Sequence, residues 1–161
     1  MTQSAPTAES PSADGLASHA VIAGFGVPGR AVADLLHRQG LTFCVIEQNE
    51  ETVERCRKAG LCIIEGDAAD AAALREAGLD RAALFACTVP NDAAMYAAVT
   101  EARRLNPRVR IVARCRYVSS GIEATRLGAD DVVVEEHAVA QAFEGVLAST
   151  QPAGPRASAE S

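Results

Sequence analysis

The chain has 161 residues, 48% of them hydrophobic and 22% charged, with a formal net charge of −6. That length accommodates the core of one domain, and the composition excludes a wholly disordered or collagen-like chain. The acidic balance argues against a nucleic-acid partner, whose phosphates are met mainly by Lys and Arg.

Residues 1–18 and 149–161 are Ser, Ala, Pro and Gly rich without apolar periodicity; such segments do not offset their own ordering entropy and are expected to be disordered tails around one domain at 19–148. Within that domain strand and helix patterns alternate. A strand is predicted over His19–Gly24, a helix over Val27–Gln39, a strand over Thr42–Glu47 and a helix over Glu50–Lys58. Then come strand Leu61–Glu65, helix Ala69–Ala77, strand Ala82–Thr88 and helix Asp92–Leu105. Strand Val109–Arg114, helix Ser119–Leu127, strand Asp131–Val134 and helix Ala138–Leu147 complete the series. In the first helix Val32, Leu35 and Leu36 share one face, which is expected to pack on the sheet. Gly40, Gly60, Gly78 and Gly128 each sit just past a helix, where a left-handed cap favours glycine.

Strands alternating with helices of about ten residues imply βαβ crossovers and a parallel sheet covered on both faces. The expected class is therefore α/β, a Rossmann-type doubly wound six-stranded parallel sheet of order 3-2-1-4-5-6. Its ligand cleft belongs beyond the carboxyl end of the first strand.

No apolar run approaches the ~20 residues of a membrane span, and the N-terminus lacks the basic start and apolar middle of a signal peptide. A soluble, cytoplasmic protein without direct membrane insertion is expected. The five cysteines, Cys44, Cys56, Cys62, Cys87 and Cys115, are odd in number and contain no CxxC, which argues against zinc and thioredoxin-like sites. Four of them, all but Cys56, lie in or beside strands and read as free, buried small hydrophobes in a reducing compartment. His19, His37 and His137 have no metal-ligand spacing.

The segment from His19 to Arg30 sets Gly24, Gly26 and Gly29 in a GxGxxG pattern between a strand and a helix. The first glycine permits a tight turn, the second lets backbone approach a pyrophosphate, and the third lets helix and strand pack closely. The free N–H groups and positive end of the helix then face phosphate oxygens. Glu47 ends the second strand, 18 residues after Gly29; a carboxylate there accepts hydrogen bonds from ribose hydroxyls and repels a 2′-phosphate, favouring NAD or an adenine nucleotide over NADP. Gln48 follows, where an Arg would have argued the other way.

After the third strand, Asp67 reads either as an acceptor for an adenine amino group or as a helix cap, with Asp70 the stronger cap candidate. Thr88, Asn91 and Asp92 follow the fourth strand at the same edge, and Asn91 or Asp92 is also a candidate cap. Arg30 is read equally as a phosphate contact or a solvated side chain. Arg114 reads as a ligand or subunit contact, or as a salt-bridged residue.

Together IAGFGVPGR, Glu47, the GDAAD segment and the IVARCR run resemble the TrkA-N domain, also called the RCK or KTN N-terminal domain, over roughly residues 19–148. The resemblance implies a cytoplasmic regulator of potassium channels and transporters that binds NAD(H) or ATP, ADP or AMP and assembles into dimers or rings. It implies that Gly24, Gly26, Val27, Pro28, Gly29 and Arg30 surround phosphates, Glu47 and Gln48 the ribose, and Asp67 with Ala68 the adenine, with Thr88 and Asn91 beside them. Ala138–Leu147 would correspond to a crossover helix docking on a partner subunit, and the pore would be a separate membrane polypeptide. Two departures stand out: Pro28 removes an N–H donor from the phosphate loop, and Ala94 stands where the family commonly has Asn.

Three functions are weighed. A regulatory module acts through differential affinity of a nucleotide for two arrangements. An NAD-dependent oxidoreductase is disfavoured, since Lys58 is the only lysine, six βα units consume the ordered chain, and no general acid is evident. A dimerisation scaffold with a degenerate site would accommodate Pro28 and Ala94.

Overall fold

A computed structural model describes residues 19–150. Both expected tails fall largely outside the described residues; Ser149 and Thr150, assigned to a tail by sequence, close the last helix, with the Thr150 N–H donating to the Leu147 carbonyl at 3.1 Å.

Six strands, β1 (His19–Ala23), β2 (Thr42–Glu47), β3 (Ile63–Glu65), β4 (Leu84–Cys87), β5 (Arg110–Cys115) and β6 (Asp131–Val134), form one sheet of order β3-β2-β1-β4-β5-β6. Every pairing is parallel, as expected from the βαβ rhythm. The helices are α1 (Val27–Arg38), α2 (Glu50–Lys58), α3 (Ala71–Glu76), α4 (Asp92–Leu105), α5 (Val118–Leu127) and α6 (Glu135–Ala148). A 3-10 turn at Leu79–Arg81 after α3 was not foreseen.

Alternation along β1 splits the core into two layers. Val21 and Ala23 join Cys44, Ile46 and Phe85 beneath α3, α4 and α5, where Leu74, Met95, Val99 and Ala124 are buried. Ala20 and Ile22 face the other way, onto Ala33 and Leu36 of α1 and Val53 and Cys56 of α2. Full burial of side chains such as Phe85, Ile22 and Leu74 stabilises the fold by ~1.5–3 kcal/mol each. The buried face of α1 is Gly29, Ala33 and Leu36 with Val32 at its margin; Leu35, expected there, is 46% exposed. Leu35 lies one residue around the helix from Leu36, beyond the edge of the stripe that the sheet covers.

Sequence boundaries shift where a cap or pairing decides them. The third helix starts at Ala71 rather than Ala69 because the Asp70 carboxylate accepts the Ala72 N–H at 2.9 Å. The third strand starts at Ile63 rather than Leu61, and the last helix at Glu135, directly after β6. That helix buries none of its residues, and Val139, Phe143, Val146 and Leu147 are each more than half exposed.

The cysteine reading needs correction. Cys44 and Cys62 form a disulfide, their Cα atoms 4.7 Å apart. The parallel register that pairs Val45 with Ile63 places the two preceding residues side by side, a juxtaposition that a sequence separation of 18 conceals. Cys62 is exposed rather than buried. Cys87 and Cys115 are free and buried as expected, and Cys56, outside that expectation, is free and buried as well.

Candidate functional site

At the carboxyl edge of the sheet, β1 leads to α1 on one side while its neighbour β4 belongs to the other half of the sheet, and the reversal of strand order opens a cleft. This cavity of about 610 Å³ is lined by Gly24 to Pro28, Ile46 to Gln48, Gly66 to Ala68, Thr88 to Asn91, Ala94 and Arg114.

Gly24 turns the chain out of β1 at φ +87°, a left-handed conformation that glycine adopts without strain. Gly29 serves a different need: a Cβ there would overlap the Gly24 carbonyl, so the close approach of α1 to the turn depends on its absence. A Cβ at Gly26 would meet nothing nearer than the Pro28 ring at 4.0 Å, so no intramolecular contact requires glycine at that position. The space it leaves faces the cleft.

The α1 N-terminus is electropositive, and no side chain among the described residues caps it. Its cap is Gly26, and its first turn carries no acid, whereas Asn49 caps α2 and Asn91 caps α4, each with acidic residues in the first turn. Helix geometry leaves the N–H groups of Gly26, Val27 and Gly29 without intrahelical acceptors, while the Arg30 N–H donates to the Gly26 carbonyl at 3.0 Å. Pro28 contributes no donor but fixes φ for the first turn.

Glu47, at the end of β2, lines the cleft beside the glycine turn and is held there. One carboxylate oxygen accepts the Phe25 N–H at 2.8 Å, and the other accepts the Gln48 and Asn49 N–H groups, each at 2.8 Å. A half-buried carboxylate thus links the glycine turn to the start of α2, and three of its roughly four acceptor positions are filled from the backbone while the residue lines the cleft. Three charge-assisted bonds fix the carboxylate before any ligand arrives.

Thr88 is buried, and its hydroxyl contacts the Ala23 carbonyl at 2.8 Å and the Gly24 carbonyl at 3.1 Å, tying β4 to the turn. Asp67 accepts the Ala69 N–H at 2.8 Å and shapes the turn after β3, leaving the capping role to Asp70. Asn91 caps α4 through the Ala94 N–H at 2.9 Å, settling that alternative in its favour over Asp92. Arg114 donates to Glu135 at 2.5 Å and to the Thr88 carbonyl at 3.3 Å, so the salt-bridged reading holds while the side chain still lines the cleft.

Ten of the twelve site residues singled out from sequence line one cavity: Gly24, Gly26, Val27, Pro28, Glu47, Gln48, Asp67, Ala68, Thr88 and Asn91. Gly29 lies buried behind it, and Arg30 is exposed on α1 outside its lining, which removes Arg30 from the cleft wall. Phe25, Ile46, Val89 and Pro90 were missed as apolar walls. Phe25 was legible in principle, since it stands between the first two glycines. Among the described residues no cluster of side chains suits a metal ion.

A Rossmann-type parallel sheet with a glycine turn, an uncapped helix terminus and an acid at the end of β2 defines the architecture of a nucleotide-binding domain. The TrkA-N domain model matches residues 20–135, and the chain belongs to the TrkA-N domain family. These domains regulate potassium channels and transporters and are not enzymes.

The sequence is 30% identical over 139 residues to YbaL of Escherichia coli K12, covering 86% of this chain and 25% of that protein. It is likewise 30% identical over 122 residues to the chloroplastic K(+) efflux antiporter 2 of Arabidopsis thaliana, covering 76% of this chain and 10% of that one. The crystal structure of the TrkA-N domain of inner membrane protein YbaL superposes with a TM-score of 0.77 at 29% identity, covering 81% of this chain and 97% of that domain. The GsuK channel bound to NAD superposes at 0.72 and 29% identity, over 88% of this chain and 24% of the channel. GsuK bound to ADP gives 0.70 at the same identity, over 83% and 36%. The chain thus spans a quarter or less of the two full-length relatives. Among the described residues no helix is long and apolar enough to cross a membrane.

Proposed function

We propose that residues 19–148 form a cytoplasmic regulatory unit that binds NAD(H) or an adenine nucleotide (ATP, ADP or AMP) and controls a membrane potassium channel or transporter. The observation that carries this reading is the convergence of Glu47 and the uncapped α1 N-terminus on one cleft. The carboxylate accepts ribose hydroxyls, the N–H groups of Gly26, Val27 and Gly29 receive phosphate oxygens, and the turn around Asp67 and Ala68 borders the base. Thr88 and Asn91 hold the opposite wall.

The nucleotide acts by differential affinity for two arrangements of an assembly. The assembly is at least a homodimer: among the described residues nothing buries Val139, Phe143, Val146 and Leu147 of α6, an apolar face that a second copy would bury. A solution mass equal to one chain at high concentration would count against that part of the proposal.

Calorimetric titration of NAD, NADH, NADP, ATP, ADP and AMP into nucleotide-stripped protein tests the binding reading. Micromolar affinity that separates NAD from NADH, or ATP from ADP, is the expected outcome. Absence of binding by all six overturns it and leaves a scaffold with a degenerate site.

A further inference from the structure

We propose that Cys44 and Cys62 form a reversible thiol–disulfide exchange site for low-molecular-weight thiols and disulfides, and that its state sets how firmly β3 holds the loop bordering the nucleotide cleft.

β3 is an edge strand of three residues, paired to the rest of the sheet only through Val45–Ile63, Ile46–Ile64 and Glu47–Glu65. The disulfide adds a covalent rung immediately before the first of these pairs, and the Gly66 N–H adds a hydrogen bond to the Glu47 carbonyl at 3.0 Å after the last. The strand is therefore pinned at both ends, and its upper end runs directly into Gly66, Asp67 and Ala68 at the cleft. Loss of the disulfide leaves only backbone bonds, including those from the Val45 N–H to the Cys62 carbonyl at 2.9 Å and from the Gly66 N–H to the Glu47 carbonyl, to hold an edge that carries part of the cleft wall. Short edge segments open locally at the low end of the stability range.

The chemistry is selective by exposure. Cys62 is exposed, Cys44 is 1% exposed, and the three remaining cysteines are buried and free. Burial pushes the Cys87 thiol up to about 12 and also raises Cys115, so neither competes as a thiolate.

In reduction an external thiolate attacks the Cys62 sulfur, forming a mixed disulfide there and expelling the Cys44 thiolate, which takes a proton. A second external thiolate attacks the external sulfur, releasing Cys62, which is protonated in turn, and a small-molecule disulfide. Two small thiols thus supply the two electrons and two protons that convert the protein disulfide into two thiols. Oxidation by a small-molecule disulfide is the reverse sequence.

The full chain, equilibrated across ratios of reduced to oxidised glutathione, quenched with a thiol alkylator and digested, reports the pair by mass. A single two-electron transition is expected, giving a linked Cys44–Cys62 peptide at the oxidising end and two alkylated cysteines at the reducing end. Cysteines that stay alkylated at every ratio, or stay linked at every ratio without denaturant, overturn the exchange site.

Hydrogen exchange on the same samples reads the coupling. Amides of residues 63–68 are expected to exchange about tenfold faster in the reduced form, with β5 unchanged. Cys62→Ser, placed at an exposed position, should match the reduced form whatever the redox conditions. Equal exchange in both forms overturns the coupling. The consequence for ligand rests on the cleft being a nucleotide site: NAD affinity should fall about threefold to tenfold on reduction, through loss of preorganisation. If neither form binds NAD, the nucleotide reading fails, while labelling and exchange still judge the disulfide.

Discussion

Replacing Glu47 by Ala removes one carboxylate with two duties, and their magnitudes separate. In the folded protein its oxygens accept three backbone N–H groups, from Phe25, Gln48 and Asn49, all at 2.8 Å. Bonds to a charged acceptor contribute ~1.5–3 kcal/mol each when shielded. The Gln48 and Asn49 bonds lie at the exposed rim, where water replaces the lost acceptor, so the half-buried Phe25 bond dominates. The expected loss of stability is therefore about 1–2 kcal/mol, enough to lower the melting temperature by several degrees but not to unfold the domain. Binding suffers more, because the ribose hydroxyls lose a charged acceptor held in place by the backbone. Loss of about 2–3 kcal/mol corresponds to roughly 30-fold to 150-fold weaker NAD binding. Thermal denaturation and calorimetry on the same preparation read the two effects. Glu47→Gln supplies the control for charge: it keeps one acceptor oxygen and removes the repulsion of a 2′-phosphate, so NADP should gain on NAD. An Ala variant that binds NAD within twofold of the parent would refute the ribose assignment, and one of unchanged melting temperature would refute the bracing role.

The glycine turn yields a contrasting pair. Gly29→Ala forces a Cβ onto the Gly24 carbonyl and should cost more than about 3 kcal/mol or prevent folding, as circular dichroism and yield would show. Gly26→Ala meets no protein atom closer than 4.0 Å, so it should melt within a few degrees of the parent yet bind nucleotide at least tenfold more weakly. Thr88→Val removes the hydroxyl that bonds the Ala23 and Gly24 carbonyls and should cost about 1–2 kcal/mol in denaturant unfolding. Acid stability has its own marker: the Ile111 N–H, followed by Arg103, holds the Asp130 carboxyl below its ordinary range. A depressed folded pKa stabilises above the unfolded value near 4 and loses that contribution as pH falls through the folded one. Asp130→Asn should therefore be less stable than the parent at pH 7, with the difference vanishing toward pH 2; a constant difference would contradict the assignment.

Most of the site was legible because it follows from local rules carried by single segments. The turn from β1 into α1, the acid at the end of β2 and the caps at Asp70 and Asn91 each depend on a few neighbouring residues. Sheet order followed from the βαβ rhythm, since crossovers of one hand leave few arrangements. Arg30 is exposed and lies outside the lining of the cleft: sequence places it beside the glycine turn, but one residue on a helix is about 100° of rotation. Leu35 missed the sheet by the same rotation from Leu36.

What sequence could not supply is registration between segments. Cys44 and Cys62 look like two small hydrophobes until β2 and β3 are laid side by side, and a shift of one residue would have sent them to opposite faces. The same holds for Glu47, whose bond to Phe25 depends on β2 lying beside β1 in one register, Ala23 opposite Ile46. Both features sit on β2, three residues apart, and both act on what this strand carries on either side: Glu47 holds the glycine turn after β1, and Cys44 holds the edge strand leading to Asp67. β2 is thus the element through which the two halves of the cleft are kept at a fixed spacing. A change in redox state at its lower end and a ligand at its upper end draw on the same pairings.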